Sequence, residues 1–231
     1  MNKAILSLSG GADSTTLLAH MLKHNRQVQA VFMTYPSKHS THEDIAAKKT
    51  TDYYGIELTR VNLWLLFNKF RSSLLGGGGD LPEGHYEAES MKKTVVPFRN
   101  GIFLSILAGL AESWQCSEVW IGAHAGDFVI YPDCRPQFLS HMCSAIMEGT
   151  ETRVGVVSPF RDLTKTTILK AGLELGVPYY LTRTCYSDHR VACGRCGACV
   201  ERLSAFKEIG VEDPLEYQDR KFFETITVSK E

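Results

Sequence analysis

Residues 5–21 read ILSLSGGADSTTLLAHM, and this stretch decides the fold. The run AILSLS (4–9) is almost continuously apolar, as in a strand covered on both faces. Ser14 to His24 then has the composition of a helix. Between them lies Ser9-Gly10-Gly11-Ala12-Asp13-Ser14, a turn whose two glycines cost conformational entropy. A strand ending this way gathers backbone N–H groups and two hydroxyls at a helix N-terminus, which binds anions through donors that need no counter-charge. The Gly-Lys-Ser/Thr ending of a Walker loop is absent. Asp13 suits a magnesium ion or shaping of the turn. The plainer alternative is a tight turn with Ser14 or Asp13 as its cap, but a six-residue pattern directly after a buried strand favours a phosphate site.

The chain alternates strand and helix outward from this point. VQAVFMTY (28–35) is a second buried strand, His42 to Tyr54 a helix stopped by Gly55, and IELTRVNL (56–63) a third strand. SEVWIGA (117–123) is a fourth. Thr164 to Leu175 is a helix with Gly176 just past its end, and Pro178 opens a fifth short strand. Strands separated by helices imply an α/β fold with an open, mostly parallel sheet and right-handed crossovers. GIFLSILAGLA (101–111) is a buried helix, well short of the ~18 apolar residues of a membrane span. Residues 72–94 carry four consecutive glycines and read as a mobile loop, either a lid or a disordered segment, with the lid preferred. The best partition is an α/β domain over 1–181 and a cysteine-bearing C-terminal segment over 182–231.

The bulk numbers narrow the class. With 25 basic against 26 acidic residues in 231, the chain lacks the surplus expected of a protein that grips long nucleic acid. The N-terminus enters a strand without a charged leader, so a cytoplasmic location is expected. Of seven cysteines, Cys116, Cys134 and Cys143 are scattered, while Cys185, Cys193, Cys196 and Cys199 crowd together. The short x2 spacings with intervening glycines let four sulfurs curl onto one ion, the donor set of a closed structural zinc site. An iron–sulfur cluster is the chief competitor and free or redox-active thiols a lesser one.

Three further places invite chemistry. Arg99 and Asn100 begin the buried helix, where a guanidinium can take phosphate or carboxylate in a two-point grip, or serve as surface charge and cap. HAGDFVIYPDCR (124–135) follows a strand end, where ligands collect in open α/β sheets. There Asp127 and Asp133 could accept from a purine-like base, Tyr131 stack on it and Arg135 meet a carboxylate; a Pro-Asp turn with a core tyrosine is the plainer account. Lys165 stands in a helix's first turn, and His39 and His124 are ambiguous, His124 being favoured by its place at a strand end.

SGGADS resembles the pyrophosphate loop of the N-type ATP pyrophosphatase (PP-loop) superfamily. In order along the chain, SLSGGADS, Tyr35 and His39, GHYEAESMKKTVVP with Arg-Asn, GAHAGD with YPDCR, Lys165, and CY with CGRCGACVERL resemble the QueC family of queuosine-precursor biosynthesis. The pattern departs from that family at Phe98 and Gly101, at YPSKH, and at TRTCYS, which lacks a tryptophan. The resemblance implies an adenine nucleotide alpha hydrolase-like, Rossmann-like fold with a small zinc-binding helical appendage. It implies a carbon–nitrogen ligase that turns 7-carboxy-7-deazaguanine, ammonia and two ATP into 7-cyano-7-deazaguanine, two AMP and two pyrophosphate. Nucleotide contacts are implied from Leu8, Ser9, Gly10, Gly11, Ala12, Asp13, Ser14, Thr15, Thr16, Leu17 and Leu18. Asp13, Lys165 and Arg99 are implied as catalytic, and Asn100, His124, Asp127, Tyr131, Asp133 and Arg135 as holding the deazaguanine. The resemblance further implies magnesium with ATP, one structural zinc on the four cysteines, and a homodimer without nucleic-acid or membrane partners. The rivals are a relative that stops at the amide or uses another acceptor, a tRNA-thiolating enzyme, and a non-enzymatic zinc-organised binding module.

Overall fold

A computed structural model describes residues 3–226. Its centre is a five-stranded, all-parallel sheet in the order β3-β2-β1-β4-β5, comprising β1 (Lys3–Ser7), β2 (Gln27–Thr34), β3 (Leu58–Asn62), β4 (Glu118–Trp120) and β5 (Gly155–Val157). The helices are α1 (Ala12–Lys23), α2 (Ser40–Tyr54), α3 (Trp64–Phe67), α4 (Arg99–Ser113), α5 (Pro136–Gly149), α6 (Lys165–Glu174), α7 (Gly197–Ile209) and α8 (Phe222–Thr225). None of the described helices is long and apolar enough to cross a membrane.

Consecutive β1 side chains serve opposite faces. Ile5 packs with Leu104, Leu107 and Ala111 of α4, while Ala4 and Leu6 pack with Leu17, Leu18 and Met21 of α1 and Ile168 of α6. Burial on both sides explains the lack of polar alternation in β1. Helix α2 ends at Gly55 in the left-handed conformation (φ 66°), which a glycine adopts without a Cβ clash.

Two expectations are corrected. Pro178 does not open a strand: Tyr179–Leu181 is a 3-10 turn, and the Tyr179 hydroxyl lies 2.7 Å from Thr16 Oγ1 beneath α1. The fifth strand is Gly155–Val157, whose three residues beside Thr152 and Arg153 carry almost no strand signal. Residues 72–94 are more embedded than a free loop. Leu74, Leu75, Tyr86 and Met91 are buried, and the fully exposed run is confined to 76–80.

Chain order reverses between β1 and β4, where connections leave in opposite directions and a crevice opens at the strands' carboxyl ends. The glycine turn after β1 and residues 121–127 after β4 face each other there. A Cβ on Gly122 would meet the backbone of Asp13 and Ser14 at 3.5 Å.

Candidate active site

The crevice is an open cleft of about 1090 Å³ including its mouth, within reach of nucleotide-sized ligands. From the glycine turn, Leu8, Ser9, Gly11, Ala12, Asp13 and Ser14 line it. Helix α1 starts with no side-chain cap on its first N–H groups, so these donors and the positive end of the dipole are left for an anion.

Gly10 has a different role from the one its position suggests. It sits at φ 76°, and a Cβ would come within 2.5 Å of Ala47 N and 2.7 Å of Glu43 O. Gly10 is therefore required by the close approach of α2, and its carbonyl accepts from Arg183 N–H at 2.8 Å. Thr15, Thr16, Leu17 and Leu18 are corrected from nucleotide contacts to core. They are buried under the sheet; Thr16 bonds Ala12 O and Tyr179, and Leu17 and Leu18 pack against β1 and β2.

One wall of the cleft concentrates paired charge. Lys165 Nζ lies 2.5 Å from Asp13 Oδ2 and 3.2 Å from Glu201 Oε2. His124 Nε2 stands 3.9 Å from Asp13, 3.5 Å from Asp127 and 3.8 Å from Glu201. Burial pushes the Asp13 carboxyl up, but Lys165 and His124 outweigh it and leave the group below its ordinary value. Burial dominates at Glu201 and holds its carboxyl up in spite of Lys165 and His124. At Lys165 burial opposes the charge, yet Asp13 and Glu201 prevail and keep it firmly protonated. Among the described residues Asp13 Oδ1 is buried without a hydrogen-bond partner, the condition of a carboxylate oxygen left for a hard cation. Asp127 accepts from the Tyr86 hydroxyl at 2.8 Å and from His124 N–H at 3.1 Å. Tyr86 belongs to the 72–94 segment, which thus contributes to the wall.

The opposite wall is formed by α2, α4 and the chain after residue 181. Arg99 and Asn100 line the cleft, as do His39, Glu43 and Arg183. The residue before α4, Phe98, takes φ 53° and lays its ring over Gly101, where a Cβ would meet Phe98 Cε1 at 2.3 Å. The two departures from the expected pattern thus explain each other.

Tyr131, Asp133 and Arg135 are not on the cleft surface. Tyr131 is buried behind it, its hydroxyl 2.8 Å from Thr94 Oγ1 and 3.1 Å from Tyr186 OH, so its ring has no free face for stacking. Asp133 accepts from Asn100 N–H at 2.7 Å and caps α4 from outside. Arg135 is exposed at the start of α5, where Pro136 occupies the first helical turn. The Pro-Asp turn with a core tyrosine describes this segment. Asn100, His124 and Asp127 do line the cleft.

Sequence reasoning missed Glu201, Glu43 and Arg183. Glu201 follows the last clustered cysteine by two residues and looks like ordinary helix-surface charge. Only the docking of α7 against α6 aims it at Lys165.

The four cysteines converge as their spacing requires. Their Sγ atoms all lie within 4.8 Å of one another, with Cys185–Cys193 at 3.5 Å and Cys193–Cys199 at 4.0 Å. Sulfurs at about 2.3 Å from a tetrahedral zinc stand about 3.8 Å apart, so the set fits such an ion. Backbone N–H groups of Cys193 and Ser187 point at Cys185 Sγ, and those of Arg195 and Cys196 at Cys193 Sγ. Gly194 permits this wrap (φ 77°); a Cβ there would lie 1.9 Å from Asp219 O. The site is outside the cleft, but the chain on both sides of it, Arg183 and Glu201, forms cleft wall.

The family described as queuosine biosynthesis protein QueC matches residues 3–210. A 7-cyano-7-deazaguanine synthase of Methanoregula boonei is 45% identical over 216 residues, 94% of this chain and 99% of that protein. One of Porphyromonas gingivalis is 42% identical over 215 residues, 93% of this chain and 97% of the relative. Among solved structures, a predicted subunit of tRNA methyltransferase from Methanocaldococcus jannaschii superposes with a TM-score of 0.51 at 14% identity, covering 95% and 93% of the two chains, and shares the fold alone. The match over nearly the whole length shows that this chain belongs to the QueC family of queuosine biosynthesis.

Proposed function

We infer that this chain is an ATP-dependent carbon–nitrogen ligase that converts 7-carboxy-7-deazaguanine and ammonia into 7-cyano-7-deazaguanine. The observation that carries the reading is the uncapped start of α1, with the partnerless Asp13 Oδ1 beside Lys165. A carboxylate is a poor electrophile, so its oxygen attacks the α-phosphorus and pyrophosphate leaves. Ammonia displaces AMP to give the amide, and a second adenylation, on the amide oxygen, leads to the nitrile.

The first-turn N–H groups of α1 with Ser9, Gly11 and Ser14 bind the leaving pyrophosphate, in place before charge develops there. Asp13 would hold magnesium, which would supply neutralisation of phosphate charge. Lys165 turns from Asp13 toward the phosphates. Arg99 with Asn100 takes the anionic group on the opposite wall, and His124 and Asp127 orient the heterocycle. Cys185, Cys193, Cys196 and Cys199 would hold zinc, which would fix the chain that carries Arg183 and Glu201. A homodimer without membrane or nucleic-acid partners, working in the cytoplasm, completes the reading.

The test is incubation of the purified chain with 7-carboxy-7-deazaguanine, ammonia, magnesium and ATP. AMP, pyrophosphate and a product with the nitrile's mass are expected. ADP as the nucleotide product would overturn the reading, and accumulation of the amide would restrict it to the first half.

A further inference from the structure

The reaction proposed above must take three protons from nitrogen. When ammonia adds to the acyl-adenylate, the C–N bond forms and the C–O bond to AMP breaks with its electron pair leaving on phosphate. One N–H proton must go elsewhere. Adenylation of the amide oxygen frees a second N–H proton and leaves an imidate, whose last N–H bond breaks as the C≡N bond forms and AMP departs. Each of the three protons needs an acceptor in the cleft.

Most cleft groups that could receive one are engaged. His124 Nδ1 accepts from Gly126 N–H at 3.1 Å, which places the ring hydrogen on Nε2, toward the carboxylates. Asp13 and Glu201 hold Lys165, and Asp127 accepts two hydrogen bonds. Cys134 is a thiol kept neutral by burial and the nearby Asp127 and Asp133. Burial likewise holds Tyr35 and Tyr86 in the phenol form.

Glu43 differs from all of these. It stands in the first turn of α2, with its backbone against Gly10, and lines the cleft. Among the described residues its carboxyl approaches one polar side chain, His39, at 3.5 Å. Arg99 from α4 and Arg183 from the chain after residue 181 face it and favour its ionised form, while burial opposes ionisation. The group is therefore poised between its two protonation states, as an acid–base catalyst must be.

The geometry points to Glu43 as the general base that takes the proton from the attacking nitrogen, then from the amide nitrogen as its oxygen is adenylated, and last from the imidate nitrogen as the nitrile forms, releasing each to water before the next. His39, buried beside it, is a positioning residue that receives the proton's hydrogen bond. The assignment rests on the ligase reading, and the experiment separates the two. Exchange of labelled pyrophosphate into ATP, dependent on 7-carboxy-7-deazaguanine and measured without ammonia, reports adenylation alone.

With Glu43→Gln, exchange is expected to persist while amide formation from ammonia falls roughly 10²- to 10⁴-fold, the usual worth of general acid–base catalysis. Hydroxylamine, far less basic and already unprotonated at neutral pH, is expected to recover most of the lost rate, and Glu43→Asp part of it with ammonia. Equal turnover of ammonia by Glu43→Gln and the unaltered chain would overturn the assignment. So would a parallel loss of exchange and amide formation, or failure of hydroxylamine to recover the rate. Absence of exchange in the unaltered chain would overturn the ligase reading itself, and this assignment with it.

Discussion

Arg202 and Arg99 are guanidiniums at two ends of the same architecture, and their surroundings are opposite. Arg202, fully buried in α7, is saturated. It makes two bonds to Asp213 at 2.7 and 2.9 Å, others to Thr182 and Thr184 hydroxyls at 2.7 and 3.1 Å, and one to Tyr179 O at 3.2 Å. Among the described residues Arg99, half-buried in the cleft, hydrogen-bonds only Tyr35 OH at 3.4 Å and Asn100 Oδ1 at 3.5 Å. Among the described residues no carboxylate lies within ion-pair distance of it. A guanidinium whose five donors are used holds the fold, whereas one with donors to spare in a cleft can take an anion. Arg202 fastens the 3-10 turn and the chain entering the cysteine cluster, thereby aiming its neighbour Glu201 at Lys165.

The sharpest break of this contrast is to remove each charge in turn. Arg202→Met leaves Asp213 buried and unpaired, and is expected to destabilise the chain by about 3–5 kcal/mol in urea unfolding. Arg99→Met should leave the unfolding midpoint almost unchanged. Its effect is expected in turnover, as a loss on the order of 10- to 100-fold, matching about 1.5–3 kcal/mol for hydrogen bonds to a charged group. A raised KM for 7-carboxy-7-deazaguanine would assign Arg99 to the substrate carboxylate, and a raised KM for ATP to phosphate. Similar unfolding costs for the two variants would dissolve the distinction.

A smaller effect, of about 2 kcal/mol, is expected from pH. Burial raises the Glu43 carboxyl from 4.5 to about 8, and lowers His39 from 6.5 to about 4. Between 4.5 and 8 the folded chain keeps a proton on Glu43 that the unfolded chain has released. Its contribution is therefore complete below 4.5 and is lost as pH rises through 8. His39 has the reverse sign, since between 4 and 6.5 the unfolded chain holds the extra proton and stability rises with pH. The two slopes oppose each other up to 6.5, and above it Glu43 acts alone. Over those 1.5 units stability should fall by about 2 kcal/mol. Urea unfolding at pH 6.5 and 8.5 reads this as the difference between the unaltered chain and Glu43→Gln, which lacks the titration. Equal slopes for the two would show that Glu43 ionises normally.

The legibility of the sequence divides along similar lines. The sheet could be read because β1, β2 and β4 are apolar runs placed just before glycine or helix signals, and a parallel strand buried on both faces has that signature. β5 could not be, since three residues at an edge bury too little to leave a pattern. In the site, local motifs marked Asp13, Lys165, Arg99 and the cysteines, because each stands at a helix start or in a fixed spacing. Glu201, Glu43 and Arg183 depend on how distant helices dock, and their neighbours in sequence give no hint of it. Gly10 shows that a right residue can carry a wrong reason: it was conspicuous as a phosphate glycine, yet its backbone is pressed against α2.

Asp133 brings that lesson to its smallest measurable effect. Read from the sequence, it accepts hydrogen bonds from a purine-like base; in the fold, it receives the Asn100 N–H at 2.7 Å at the start of α4. The second role places a negative charge at a helix N-terminus, worth about 0.3–1 kcal/mol when exposed and up to ~2 kcal/mol when partly buried. Asp133→Asn preserves the acceptor oxygen and removes the charge, so a loss of about 1 kcal/mol in unfolding is expected. KM for the deazaguanine should change little, since Asn100 keeps its place through the remaining bond. A tenfold rise in that KM with unchanged stability would return Asp133 to the substrate. The cap would then be incidental, because removing the charge at the start of α4 would have cost the fold nothing.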